Sequence, residues 1–114
     1  EEYLTALLGQ SDNQAAEGVA ILQEAVDRTG DLFLVRSLAQ ARIIANDPEG
    51  ALETLELFET LAPDDGRVFI LRGDVLARQG QTEAAREQYR LALTVDPHRA
   101  GLRAEQRLRR LADS

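Results

Sequence analysis

Residues 66–97, GRVFILRGDVLARQGQTEAAREQYRLALTVDP, decide the fold of this chain. Apolar residues recur three and four positions apart in both halves of the stretch, which is the period of an amphipathic helix. Gly80 separates the halves and suits the left-handed conformation that ends a helix, and Thr82 is the predicted N-cap of the second helix. Gly73 lies in the middle of the first helix, where glycine costs about 1 kcal/mol relative to alanine. The stretch therefore predicts two helices and leaves Gly73 to be explained.

The same pattern occurs a second time, one unit earlier in the chain. Pro63 and Pro97 are 34 residues apart, and the segments before them align without a gap. A fixed period of this length is the signature of a repeat protein, in which each unit is one supersecondary element. The sequence predicts two successive helical hairpins, 32–65 and 66–99.

Polar residues mark where the helices of these hairpins begin. Asp47 is a suitable N-cap and Pro48 a suitable first helical residue for the second helix of the first hairpin. Asp64 or Asp65 is the predicted cap of the helix that follows.

A degenerate or partial repeat is predicted over residues 1–31. Its second helix contains EGVAILQEAV (17–26), which is similar to EGALETLELF (49–58). Its first helix is short, EYLTALLG, and Ser11 with Gln14 matches a capping box that would begin a new helix. We therefore expect a break in the helix near residues 11–14.

The last segment predicts one further amphipathic helix over residues 100–112. Ala104, Leu108 and Leu111 form an apolar stripe at spacings of four and three. A terminal helix of this kind covers the apolar face that the last unit of a stacked array would expose to water.

The two complete units resemble tetratricopeptide repeats. In 66–99 the matching residues are Phe69, Gly73, Leu76, Gly80, Ala85, Tyr89, Ala92 and Pro97. In 32–65 they are Val35, Leu38, Ala39, Ala51, Leu55, Phe58 and Pro63. Two positions depart from the family pattern: Arg72 stands where leucine is usual, and Arg42 where a bulky residue is usual.

The resemblance implies an all-α fold, a right-handed α-α superhelix or solenoid of about three hairpins plus a C-terminal capping helix, in one domain over residues 1–114. It also implies that Gly73 lies where two helices cross closely, with the small Ala39 in the equivalent place. The tripeptide Arg72-Gly73-Asp74 then lies within a helix, not in the exposed turn that adhesion receptors read.

Chemistry-bearing residues are scarce. Cysteine is absent, His98 is the one histidine, and its place after a proline predicts a solvated residue. Asp64 and Asp65 could hold a divalent cation, but a helix cap requires the same residues. We therefore predict a non-catalytic protein with no cofactor and no metal site.

The resemblance places the working surface in a concave groove lined by the first helix of each unit. The predicted groove residues are Phe33, Arg36, Gln40, Ile43, Arg67, Ile70, Asp74 and Arg78. Arginine binds carboxylates through a planar pair of hydrogen bonds. We expect a protein or peptide partner with some acidic residues, bound by a scaffold or assembly factor.

Charge is distributed unevenly along the chain and leaves two alternatives open. The net charge is −7; residues 1–65 hold 14 acids and 3 arginines, and residues 98–114 hold 5 arginines and 2 acids. One alternative is self-association between oppositely charged ends. The other, less favoured, is contact with nucleic acid or an anionic membrane surface through a secondary basic patch, Arg99, Arg103, Arg107 and Arg110. The acidic body disfavours nucleic acid over most of the surface.

Composition bears weakly on the source and location of the protein. Every one of the 13 positive charges is arginine, which we attribute to biased codon usage and take as indicating a bacterial protein. No stretch approaches the roughly 20 apolar residues of a membrane span, so membrane attachment would need an anchor elsewhere in a longer parent chain. We expect a soluble domain, cytoplasmic or periplasmic if bacterial.

Overall fold

The computed structural model describes the backbone of residues 2–113 and the side chains of residues 14–113. Over this range the chain forms six α-helices and no β-strand, as the all-α prediction requires. The helices are α1 (Glu2–Thr29), α2 (Leu32–Ile44), α3 (Pro48–Leu61), α4 (Arg67–Arg78), α5 (Thr82–Val95) and α6 (Pro97–Ala112). The right-handed superhelix stays a prediction.

The helix α1 runs without interruption from Glu2 to Thr29, so the predicted break near residues 11–14 is wrong. A capping box needs the chain to leave the helical conformation at its first residue, and the backbone is helical at Ser11. Alanines and leucines flank this segment on both sides, and these strong helix formers outweigh the weaker preference of Ser, Asp and Asn. The side chain of Ser11 lies outside the described residues.

The short connections after α1, α2 and α5 are organised by aspartate caps. Asp31 accepts a hydrogen bond from the N–H of Leu34 at 3.2 Å. Asp47 accepts one from the N–H of Gly50 at 3.0 Å, and α3 begins at Pro48, as predicted. Such caps replace hydrogen bonds that the first N–H groups of a helix lack, and each contributes about 1 kcal/mol.

The turn between α4 and α5 confirms the prediction for Gly80. Its φ is 79°, and the N–H of Gln81 donates to the carbonyl of Leu76 at 2.9 Å. This pairing is the Schellman motif that closes a helix through a left-handed glycine. The N-cap of α5 is Gln81, which makes no capping bond through its side chain, so the prediction of Thr82 as the cap is wrong by one residue.

The chain divides into two compact units, Glu1–Thr54 and Leu55–Ser114. In the first unit α1 packs against α2, and Val26, Val35, Leu38, Ala39 and Ala51 are buried. In the second unit α5 packs against both α4 and α6, and α6 also contacts α4. The boundaries of the predicted repeats are not tested by this division.

The core of the second unit lies among α4, α5 and α6. Its buried residues are Ile70, Ala85, Tyr89, Ala92, Ala100 and Ala104, and Leu108 and Leu111 pack against them. The apolar stripe predicted for the last helix therefore faces this core. Among the described residues, none of the helices has the combination of length and apolar character that crossing a bilayer requires.

Candidate functional site

Gly73 lies at a close contact between α4 and α5. It is buried, and a Cβ added to it would lie 2.7 Å from Cδ1 of Tyr89 and closer still to Cε1. Carbon atoms in van der Waals contact are about 3.5–4.0 Å apart, so the aromatic ring occupies the space that any larger residue would need. The structure confirms that Gly73 permits a close crossing and that Arg72-Gly73-Asp74 is part of a helix.

Asp74 is one of the predicted groove residues, but its carboxylate is bound by two neighbouring helices. It accepts a hydrogen bond from the hydroxyl of Tyr89 at 2.6 Å and another from Nε of Arg107 at 2.9 Å. Burial, and next the hydrogen bond to Asp74, raise the pKa of Tyr89 well above its ordinary value, so the hydroxyl stays protonated and donates. This arrangement attaches α6 to α4 and α5.

Ile70 is inaccessible, because α5 and α6 cover the face of α4 that carries it. Its side chain is 3% exposed and belongs to the core of the second unit. The prediction that Ile70 lines an open groove is therefore wrong. Asp74 is half-buried, and its carboxylate is bound within the second unit. Helical spacing places both residues on one face of α4, but it does not reveal that α6 packs on that face.

Arg67 and Arg78, the other two groove residues on α4, differ in their surroundings. Arg78 is exposed at the end of the helix. Arg67 is half-buried, and its Nε and Nη2 donate to both oxygens of Asp65. Asp65 is 1% exposed, so Arg67 neutralises a buried charge and is not available to a partner without uncovering that charge.

Two buried carboxylates and two arginines connect the start of α4 to the start of α6. Asp96 caps α6 and accepts the N–H of Gly66 at 2.9 Å, and Arg99 lies 2.6 Å from Asp96 and 3.8 Å from Asp65. Burial alone would raise the pKa of both carboxyl groups, but hydrogen bonds and attraction from the arginines outweigh it and lower each pKa. A cluster already neutralised in this way does not attract a cation. No group of three or more His, Asp or Glu residues that could hold a metal ion occurs among the described residues.

The predicted groove residues of α2 include an exposed aromatic ring with a half-buried arginine beside it. Phe33 is 64% exposed, and the guanidinium carbon of Arg36 lies 5.7 Å from the centre of its ring. Gln40 is exposed further along the same helix. Ile43 is buried, at 8% exposed, and so does not extend this surface. Phe33, Arg36 and Gln40 are hereafter the α2 surface.

The predicted basic patch on α6 is divided between bound and exposed arginines. Arg107 pairs with Asp74, and Arg99 pairs with Asp96. Arg103 and Arg110 are exposed on the outside of the helix. His98 is also exposed, as predicted for a solvated residue.

Arg42 is a structural residue that sequence reasoning recognised only as a departure from the repeat pattern. Its guanidinium donates to Thr54 Oγ1 at 2.7 Å, to the carbonyl of Gly50 at 3.2 Å and to Gln23 Oε1 at 2.6 Å. These bonds join α1, α2 and the first part of α3. The partner of Arg42 could not be identified from spacing, because Gln23 belongs to another helix.

Comparison with known proteins gives one informative match. The sequence is 31% identical over 101 residues to anaphase-promoting complex subunit 7 of Dictyostelium discoideum. The match covers 85% of this chain and spans 17% of the length of that protein. A search with models of protein families found no match. The all-helical architecture and the relationship to a subunit of a complex fit a protein of the tetratricopeptide-like repeat type.

Proposed function

We propose that this chain is a non-catalytic protein-binding module of the tetratricopeptide type that serves as a scaffold or assembly factor in a larger complex. The observation that carries the proposal is the burial of Gly73 against Tyr89, because it supports the repeat pattern at its most restrictive position. The match to a protein named as a subunit of a complex is consistent with this role. The proposal includes right-handed stacking of the hairpins, as is typical of such repeats.

The α2 surface is the proposed contact for the partner. Phe33 offers an exposed aromatic ring, and aromatic residues and arginine contribute most of the binding energy in many interfaces. Arg36 holds a positive charge beside the ring, so a segment that contains an apolar residue next to a carboxylate would complement both. Gln40 can hydrogen-bond to the backbone of an extended segment.

A display library of random short peptides tests this proposal and does not require the natural partner to be identified first. We expect the wild-type chain to enrich peptides that combine apolar and acidic residues. The variant Phe33→Ala/Arg36→Glu should bind the enriched peptides about thirtyfold more weakly, since losing a central aromatic contact costs about 2 kcal/mol. Arg67 is unsuitable for this test because its replacement would remove its side-chain hydrogen bonds to the buried Asp65.

A matched control is Val95→Ala/Arg90→Glu, which also truncates an exposed apolar residue and reverses an exposed charge. This variant should bind the peptides as the wild type does, and circular dichroism should show the same helix content for all three chains. Equal binding by the two double variants would place the contact elsewhere.

Self-association is the second candidate function, and the uneven charge favours it. The acidic residues are concentrated in residues 1–65, and the exposed Arg103 and Arg110 lie on the last helix. Sedimentation as a function of protein and salt concentration tests this possibility, because salt screens attraction between exposed charges. A mass that stays monomeric at every concentration would exclude it. Nucleic acid is less favoured, because Arg99 and Arg107 are bound by carboxylates of the chain itself.

A further inference from the structure

The outward face of α6 combines an exposed leucine with basic residues. Leu102 is 70% exposed, and Gln106 and Arg110 follow it at intervals of four residues on the same face. Arg103 lies beside Leu102 and is also exposed. A single exposed leucine is ordinary on a protein surface, so it is the basic residues near Leu102 that give this face a distinct character.

The preceding repeat buries the equivalent position. Val68 lies 34 residues before Leu102, and its side chain is 0% exposed. The two positions share the same place in the repeat pattern, but the one on α6 is open. Leu102 therefore exposes an apolar side chain at a position that is buried in the preceding repeat.

The outward face of α3 has the complementary character. Glu49, Glu53 and Glu56 are exposed on one side of this helix, spaced by four and three residues. Leu57 is 42% exposed and lies next to Glu56. The face therefore carries an acidic stripe with an exposed leucine at its C-terminal end.

From these two faces we propose that α6 of one molecule docks antiparallel on α3 of a second copy of this chain. Leu102 would contact Leu57, Arg103 would lie by Glu56, Gln106 by Glu53 and Arg110 by Glu49. Leu102 and Arg110 are eight residues apart, as are Leu57 and Glu49, so each pair spans about 12 Å along its helix. A parallel arrangement with the two leucines in contact would carry Arg110 away from the acidic stripe, whereas the antiparallel one brings both Arg103 and Arg110 opposite glutamates.

This inference rests on the self-association proposed above and names its surface. The two contacting faces are different, so the contact is head-to-tail and can extend to further copies. Each molecule contributes both an α6 face and an α3 face. The assembly should therefore grow with protein concentration and dissociate as salt shortens the screening length from about 10 Å at 0.1 M to about 3 Å at 1 M.

Charge exchange tests the proposed pairing. Sedimentation velocity of the 114-residue chain should show a mass that rises with concentration at low salt. The variant Arg103→Glu/Arg110→Glu and the variant Glu49→Arg/Glu56→Arg should each weaken self-association roughly tenfold or more, because like charges replace two exposed ion pairs. An equimolar mixture of the two variants should associate again, since each then meets a complementary face.

The control variant Arg28→Glu/Arg90→Glu lowers the net charge by as much as Arg103→Glu/Arg110→Glu does, but its substitutions lie on α1 and α5. It should associate as the wild type does, with unchanged helix content by circular dichroism. A wild-type chain that stays monomeric would overturn both self-association and this surface. If each charge-reversal variant still associates as the wild type does, or if the mixture of the two fails to associate, the α6–α3 contact is wrong. Self-association through another surface would then still be supported.

Discussion

Replacing Gly73 by alanine should destabilise the second unit, although alanine is the better helix former. The added Cβ would meet the ring of Tyr89, which is 2% exposed and whose hydroxyl is held by Asp74 at 2.6 Å. Forcing an extra carbon into a packed interior costs about 1–3 kcal/mol. Alanine recovers about 1 kcal/mol of helix propensity. Because the ring is buried and Asp74 holds its hydroxyl, the ring cannot easily move away, and we expect a net loss of about 1–2 kcal/mol in the free energy of unfolding.

Gly101→Ala is the matched control for this prediction. Gly101 is also buried within a helix of the second unit, but the nearest atoms to an added Cβ are 3.9 Å away on Leu93 and Pro97. This substitution should therefore stabilise the protein by about 0.5–1 kcal/mol, through helix propensity alone. Urea unfolding followed by circular dichroism measures both changes, provided that the denaturant slope stays constant.

A result in which Gly73→Ala and Gly101→Ala raise the unfolding midpoint equally would refute this reasoning. It would mean that the crossing of α4 and α5 has room for a methyl group. The burial of Gly73 against Tyr89 would then no longer support the repeat pattern at this position.

Three further predictions concern the polar contacts of the two units. Asp74→Ala should lower the free energy of unfolding by about 2 kcal/mol in urea titrations, because it leaves the buried Tyr89 hydroxyl without its acceptor; an unchanged midpoint would contradict this role. Arg42→Ala should lower the free energy of unfolding by about 2 kcal/mol in the same assay. Arg42→Met should lower it by about half as much, since methionine keeps the packing of the side chain and loses only its hydrogen bonds. Equal losses would show that the packing of this side chain does not contribute to stability. The third prediction is a loss of stability in acid. Burial would raise the pKa of Asp65 and Asp96, but their hydrogen bonds and the neighbouring arginines hold each folded-state pKa below its ordinary value. The two carboxylates therefore stabilise the fold above about pH 4, and this stabilisation is lost as the pH falls through the folded-state pKa. Unfolding midpoints measured from neutral pH to about pH 3 should fall, and Asp65→Asn should make that fall shallower; an identical slope would assign the acid sensitivity to other carboxylates.

Local spacing was sufficient to predict most of the helices and several of their ends. Asp47 with Pro48 and the left-handed Gly80 act through groups within a few residues of themselves, so their roles can be read from the adjoining sequence. The prediction failed near Ser11, where a capping pattern occurs inside a continuous helix. A cap motif states a local preference, and the helix formers on both sides were stronger.

The candidate site was only partly predictable. Phe33 and Gln40 are exposed as expected for a surface of α2. Ile70 and Asp74 lie 34 residues after Arg36 and Gln40, but α5 and α6 bury Ile70 and bind the half-buried Asp74. Equivalent positions on α2 and α4 therefore differ in exposure, because exposure depends on which helix packs against that face.

The helical period and the recurrence at 34 residues follow from the spacing of apolar side chains along the chain. The need for a small residue at Gly73 was implied by the resemblance to tetratricopeptide repeats, and the contact with Tyr89 explains it. Which charges are paired within the molecule and which face outward depends on how the helices pack. Arg107 and Arg110 lie three residues apart on one helix, yet the first is bound to Asp74 and the second is exposed. The physical reason is that an ion pair requires two groups within about 4 Å, and that distance is set by the packing of segments far apart in the chain.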